Sequence, residues 1–143
     1  MPIGTPAFQT AYAQSVLNEH EAAHAQLREM GDAQAMYLLL RYCLSARLTY
    51  LLRALSPAVM APVAAASDAL HLASLAAVLD READALHPSV YVQASLAPRF
   101  GGLGIASAVR ESPGAFLAAS IASFRFVRDH FTRLVPEGRF SIL

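Results

Sequence analysis

The sequence predicts an all-α protein, a single-domain bundle of five to seven helices spanning residues 1–143 with a glycine-rich turn at 98–104. Long apolar segments recur at helical spacing, and no sheet pattern is evident. Thr5-Pro6, Ser56-Pro57 and Ser112-Pro113 pair a capping residue with a proline at the first helical position. No repeat, linker or low-complexity block divides the 143 residues, about the length of one domain.

The first helix begins near Pro6. Phe8, Tyr12, Val16, Ala23, Leu27 and Met30 fall on one side of it, with Gln14, Asn18, Glu21 and Arg28 opposite. Gly31 ends this helix and Asp32 caps the next. From Ala33 to Leu55 nearly every position is apolar, as in a helix surrounded by others, and Ser45 marks a kink or break. Ser56-Pro57 restarts the pattern into an alanine-rich helix from Val59 to Leu79, with Pro62 inside its first turns. Asp80 to Pro88 is acidic and reads as a helix end running into a loop, and Ser89 to Ala97 reads as a short helix. Pro98 to Gly104 is a turn. A short helix from Ile105 to Arg110 is expected next, then a long one from Ser112-Pro113 carrying Phe116, Ser120, Phe124, Val127 and Phe131 in a stripe, widened by Leu117 and Ile121. Pro136 and Gly138 stop it.

Formal net charge is zero, so whole-molecule attraction to nucleic acid or anionic membrane is not implied. All eleven basic residues are arginine. An apolar fraction of 55% exceeds the usual composition of a free-standing domain, which points to apolar surface meeting a protein partner or a second copy. Cys43, the only cysteine, excludes an intramolecular disulfide and is expected as a buried small hydrophobe. Met36–Leu55 holds three arginines, and 58–79 holds Pro62, Asp68 and His71, so neither reads as a membrane span. A soluble intracellular protein is expected, without a secretory signal, a membrane contact or a cofactor.

His20-Glu21-Ala22-Ala23-His24 matches HExxH, in which two imidazoles one turn apart hold zinc and a glutamate activates bound water. A metal-dependent enzyme using His20, Glu21 and His24 is therefore the alternative function. Against it, the glycine and third histidine of the extended motif are missing, and no acidic residue lies between Asp32 and Asp68. On an ideal helix His20 and His24 sit about 65° and about 105° from the centre of the apolar stripe, on a flank expected to be solvated. Carboxylate-x-x-histidine occurs three times, as Glu21/His24, Asp68/His71 and Asp84/His87. Di-iron bundles use two inward-facing Glu-x-x-His pairs with two further glutamates. Here two of the three pairs carry aspartate, and surface acid–histidine pairs are the expected account. Gly101, Gly102 and Gly104 serve either a close approach to a ligand or a tight turn between helices, the turn being the simpler reading. Arg125, Arg128, Arg133 and Arg139 make the C-terminal part locally basic, while Arg41, Arg47 and Arg53 point in three directions and form no single stripe.

PIGTPAF at the start, LLLRYCLSARLTYLLRAL in the middle and PRFGGLGIASA later together resemble the region just after the catalytic palm in reverse transcriptases of non-LTR-type retroelements. The resemblance covers nearly the whole chain in the expected order. It implies that Pro2, Ile3 and Gly4 correspond to the end of a primer-grip turn and that the following helices are thumb-like. Arg41, Arg47, Arg53 and Arg99 become candidates for backbone contact, with Arg125 and Arg128 added from the basic C-terminal part. The palm's metal-binding aspartates have no counterpart here, and Asp80 and Asp84 do not match them, so the resemblance implies a non-catalytic helical module serving protein assembly or nucleic-acid contact.

Overall fold

A computed structural model describes residues 4–87 and 89–131. Helix α1 spans Pro6–Arg28, α2 Ala33–Leu39, α3 Thr49–Ala54, α4 Pro57–Val78, α5 Ser89–Ala94 and α6 Ala108–Phe131. A π-helical turn at Leu40–Leu44 follows α2, and single 3-10 turns lie at Ala83–Ala85 and Pro98–Phe100. Among the described residues the protein is all-helical, as its sequence predicts.

Local chemistry starts these helices where expected. Thr5 accepts from the Phe8 amide ahead of Pro6, and the Asp32 carboxylate accepts from the Gln34 and Ala35 amides at 2.9 Å each. Such caps satisfy amides that have no partner within the helix and are worth about 1 kcal/mol. The break near Ser45 takes the form of the π turn, with the Ser45 hydroxyl donating back to Arg41 O at 2.6 Å.

Helices α1 and α4 form the centre. Ser67 meets His20 and Ser74 meets His24, so the two helices run in the same direction. Apolar packing divides into two clusters. Ala13, Leu17, Met60, Val63 and Ala64 join Leu48, Leu51, Leu52, Leu55 and Ala108 at one end. Leu27, Met36, Leu40, Leu44, Leu75, Ala94 and Ile105 form the other. Between them on α1 and α4 lie His20, His24, Ser67, His71 and Ser74, all buried. Helix α6 packs on α3 and α4. By length and composition α4 is the one described helix able to cross a membrane, yet it is packed between α1 and α6 and carries the buried polar residues on its inner face.

Four sequence expectations need correction. The buried face of α1 is Ala13, Leu17, His20, His24 and Leu27, rotated roughly 90° from the expected stripe. Phe8, Tyr12 and Met30 are left exposed, because the small residues of α4 admit that other face. Over Ala33–Leu55 only Met36, Leu40, Leu44, Leu48, Leu51, Leu52 and Leu55 are buried, so this segment has one covered side rather than neighbours all round. Cys43, on its outer side, is exposed. Finally, no helix ends at Arg110: α6 starts at Ala108 and continues through Pro113. Its stripe is largely uncovered, with Leu117, Ile121, Phe124 and Val127 all at least 41% exposed. Pro2, Ile3, Arg133, Pro136, Gly138 and Arg139 lie outside the described residues.

Candidate functional site

The buried polar layer begins with helical spacing. His20 and His24 stand four apart on α1, while Ser67, His71 and Ser74 stand four and three apart on α4, so each set lines one face. Packing those faces together brings His20, His24 and His71 into one group whose ligand atoms, one from each ring, lie within 4.8 Å of one another. His20 and His24 are therefore not on a solvated flank: both are fully buried.

Each ring has a defined neighbour. His24 Nδ1 lies 2.6 Å from Ser74 Oγ, and His24 Nε2 lies 3.2 Å from His20 Nε2. His20 Nε2 is also 3.3 Å from Ser67 Oγ. His71 Nδ1 is 3.1 Å from the Tyr91 hydroxyl, which donates to Asp68 Oδ1 at 3.1 Å and has Ala106 O as a more distant acceptor at 3.4 Å. A carboxylate only accepts, so Tyr91 directs its proton to Asp68 and takes the His71 Nδ1 proton on its oxygen. His71 then carries its proton on Nδ1 and presents a bare Nε2. That atom is buried and has no hydrogen-bond partner, as is His20 Nδ1.

Burial sets the charge state. Removal from water lowers His24 to about 3, with the neighbouring His20 and His71 adding repulsion. His20 is lowered to about 4, again mainly by burial and then by His71 and Arg47. His71 is lowered as well, since burial outweighs the opposing pull of Asp68 and of the nearby Ala106 and Leu44 carbonyls. Burial and Asp68 raise Tyr91, which keeps its phenol protonated. All three imidazoles are thus neutral near pH 7.

Asp68 is occupied elsewhere. It accepts from the Ser107 hydroxyl at 2.6 Å and from the Ala108 and Val109 amides at 2.7 and 3.4 Å. A carboxylate from α4 therefore caps α6 together with the Ser107 hydroxyl, which accepts from the Arg110 amide at 3.3 Å, and the helix begins before Ser112-Pro113. The Asp68/His71 pair is not a surface pair but part of the interior, with a His71 Nδ1 to Asp68 Oδ1 separation of 3.9 Å. Glu21 is exposed and takes no part in the histidine group. Asp84 and His87 are exposed too, the His87 ring being bonded to Ser89.

The arginines are dispersed. Arg41 donates to the Tyr37 hydroxyl at 3.0 Å, and Tyr37 donates to Leu103 O at 2.9 Å. A Cβ at Gly104, where φ is 69°, would stand 3.2 Å from the Arg41 guanidinium. At Gly102 it would meet Leu96 O at 2.0 Å, so the glycine turn closes against its own preceding helix end and admits no side chain there. Arg47 pairs with Glu19 at 3.4 Å. Arg99 stacks over Phe100, and Arg53, Arg125 and Arg128 are exposed. The six arginines stand on the π turn, the turn at 45–48, α3, the Pro98–Phe100 turn and α6.

Sequence reading found His20 and His24 as a motif and His71 as a separate acid–histidine pair, but did not join them. The available signal was the pair of polar stripes on otherwise apolar helices, His20/His24 and Ser67/His71/Ser74. The fold defines an all-α helical domain, and comparison with protein-family models, curated proteins and solved structures gives no match.

Proposed function

We propose that this chain is a non-catalytic helical module resembling the thumb-like region of a non-LTR-type reverse transcriptase, acting chiefly in protein assembly. The observation that carries the assembly reading is the outer half of α6. Leu117, Ile121, Phe124, Phe126 and Val127 are exposed there, and they combine with Phe8 and Tyr12 of α1 to leave more large apolar side chains in water than a free-standing domain needs. Two of the three segments that carry the resemblance lie side by side: Arg41 of LLLRYC stands against Gly104 of RFGGLG, and Tyr37, just before the first, donates to Leu103 O of the second. Nucleic-acid backbone contact is the weaker branch, since net charge is zero and the arginines are spread. The module belongs in this reading to a soluble intracellular setting.

Light scattering across a concentration series, with a labelled RNA–DNA duplex titrated in parallel at low salt, tests both branches. Self-association or partner-dependent solubility that is weakened by Ile121→Glu together with Phe124→Glu is expected. A salt-sensitive duplex shift lost on replacing Arg53 and Arg125 transfers the function to phosphate contact. A well-behaved monomer that binds no duplex removes both.

A further inference from the structure

We propose that His20, His24 and His71 form a three-histidine site for a divalent first-row metal ion, with zinc as the reference ion, inside the helical core. This inference stands apart from the assembly reading, and it differs from an HExxH enzyme in its third ligand and in having no role for Glu21.

Geometry supports it at each ring. Two imidazole nitrogens bound about 2.0 Å from one tetrahedral ion stand roughly 3.3 Å apart. His20 Nε2 and His24 Nε2 are already 3.2 Å apart. Ser67 Oγ lies 3.3 Å from His20 Nε2, a hydroxyl beside the same nitrogen. The ligand atoms of the three rings lie within 4.8 Å of one another, so binding draws a ring inward by up to roughly 1.5 Å to reach the tetrahedral spacing.

The outer contacts agree. Metal-bound histidine ordinarily donates its other N–H to a carboxylate, hydroxyl or carbonyl, which fixes the ring and its tautomer. His71 does so through Tyr91 to Asp68, and His24 has Ser74 at 2.6 Å. His71 Nε2, buried with no partner, gains one in the metal ion. His20 Nδ1 keeps its proton without an acceptor, a cost that binding does not relieve. Neutral nitrogen donors without thiolate suit zinc, copper, nickel or cobalt rather than calcium or magnesium.

The test uses the full chain, stripped with a chelator and titrated with cobalt(II) as a spectroscopic probe, then with zinc. One equivalent of cobalt giving the visible absorption of a tetrahedral complex, displaced by zinc, is expected. His24→Gln and His71→Gln should each weaken binding by about 100-fold and Tyr91→Phe by about 10-fold, at unchanged helical content, while Glu21→Gln binds as the parent does. If the histidine variants do not fold, X-ray absorption on the parent's zinc complex counts imidazole ligands instead: three support the site, and two or fewer overturn it. A folded parent chain that binds neither ion at tens of micromolar overturns it as well, as does loss of binding in Glu21→Gln equal to that in His71→Gln.

Discussion

Asp68/His71 and Asp84/His87 share one spacing and have opposite fates. The first pair sits on the inner side of α4, where His71 is 1% exposed at its side chain and Asp68 14%. The second lies in the exposed loop after α4, with His87 bonded to Ser89 two residues away. In the first, the carboxylate caps α6 some forty residues on and reaches the imidazole through Tyr91. Spacing of an acid and a histidine therefore says which residues share a helix face, whereas the neighbouring helix decides whether that face carries a network or faces solvent.

Acidification should widen this contrast most. In the metal-free chain the folded state holds His20 and His24 neutral, with values lowered to about 4 and about 3, while the unfolded chain protonates near 6.5. Between pH 6.5 and about 4 the unfolded state binds more protons, so stability falls as pH falls and levels off below the folded values. Each ring contributes up to about 1.4 kcal/mol per pH unit in that window. Urea unfolding at pH 7.5, 6 and 5 measures it. A midpoint that holds steady across this range would contradict the buried neutral layer.

Asp68→Ala comes next. It strips the Ala108 amide, the Ser107 hydroxyl and the Tyr91 hydroxyl of one acceptor. A loss of roughly 2–4 kcal/mol follows from leaving partly buried donors unpaired and the α6 N-terminus without its carboxylate, although the Ser107 hydroxyl still accepts from the Arg110 amide. Hydrogen exchange should locate the change at Ala108 to Glu111. Protection there equal to the parent's would show that α6 does not depend on this carboxylate.

Helix starts were legible because their causes are local: Thr5 with Pro6, Asp32 before α2, and the proline opening α4 act within one turn. What escaped depends on which helices meet. Phe8, Tyr12 and Met30 drew the apparent core stripe of α1, although the side that α4 covers holds Ala13, Leu17 and the two histidines. Ser112-Pro113 signalled a helix start by the same local logic, but the chain is capped earlier at Ala108, by the Ser107 hydroxyl on the Arg110 amide and by Asp68, distant in sequence. The candidate site was visible in pieces, His20 with His24 and Asp68 with His71. Only the shared direction of α1 and α4 joins them, and no local pattern encodes that.

Tyr91→Phe isolates the link between the two halves of the buried pair. It removes one hydroxyl that bridges His71 Nδ1 and Asp68, and leaves the ring and the cap in place. About 1 kcal/mol of stability should be lost. The freed His71 ring should also lose its tautomer preference, visible in the nitrogen shifts of a labelled histidine. Unchanged shifts would mean that Tyr91 does not set the tautomer.

The exposed pair supplies the smallest effect and the sharpest control. Asp84→Asn and His87→Gln alter groups in water, where neither bears on the packing between helices, so each should change stability by no more than about 0.5 kcal/mol. The local bonds between His87 Nδ1 and the Ser89 hydroxyl and amide exchange readily for water. If either substitution cost as much as Asp68→Ala, position on the inner side of α4 would no longer explain the difference between two pairs of identical spacing. The packing of the Ala83–Ala85 turn on α4 would then have to be supporting the bundle.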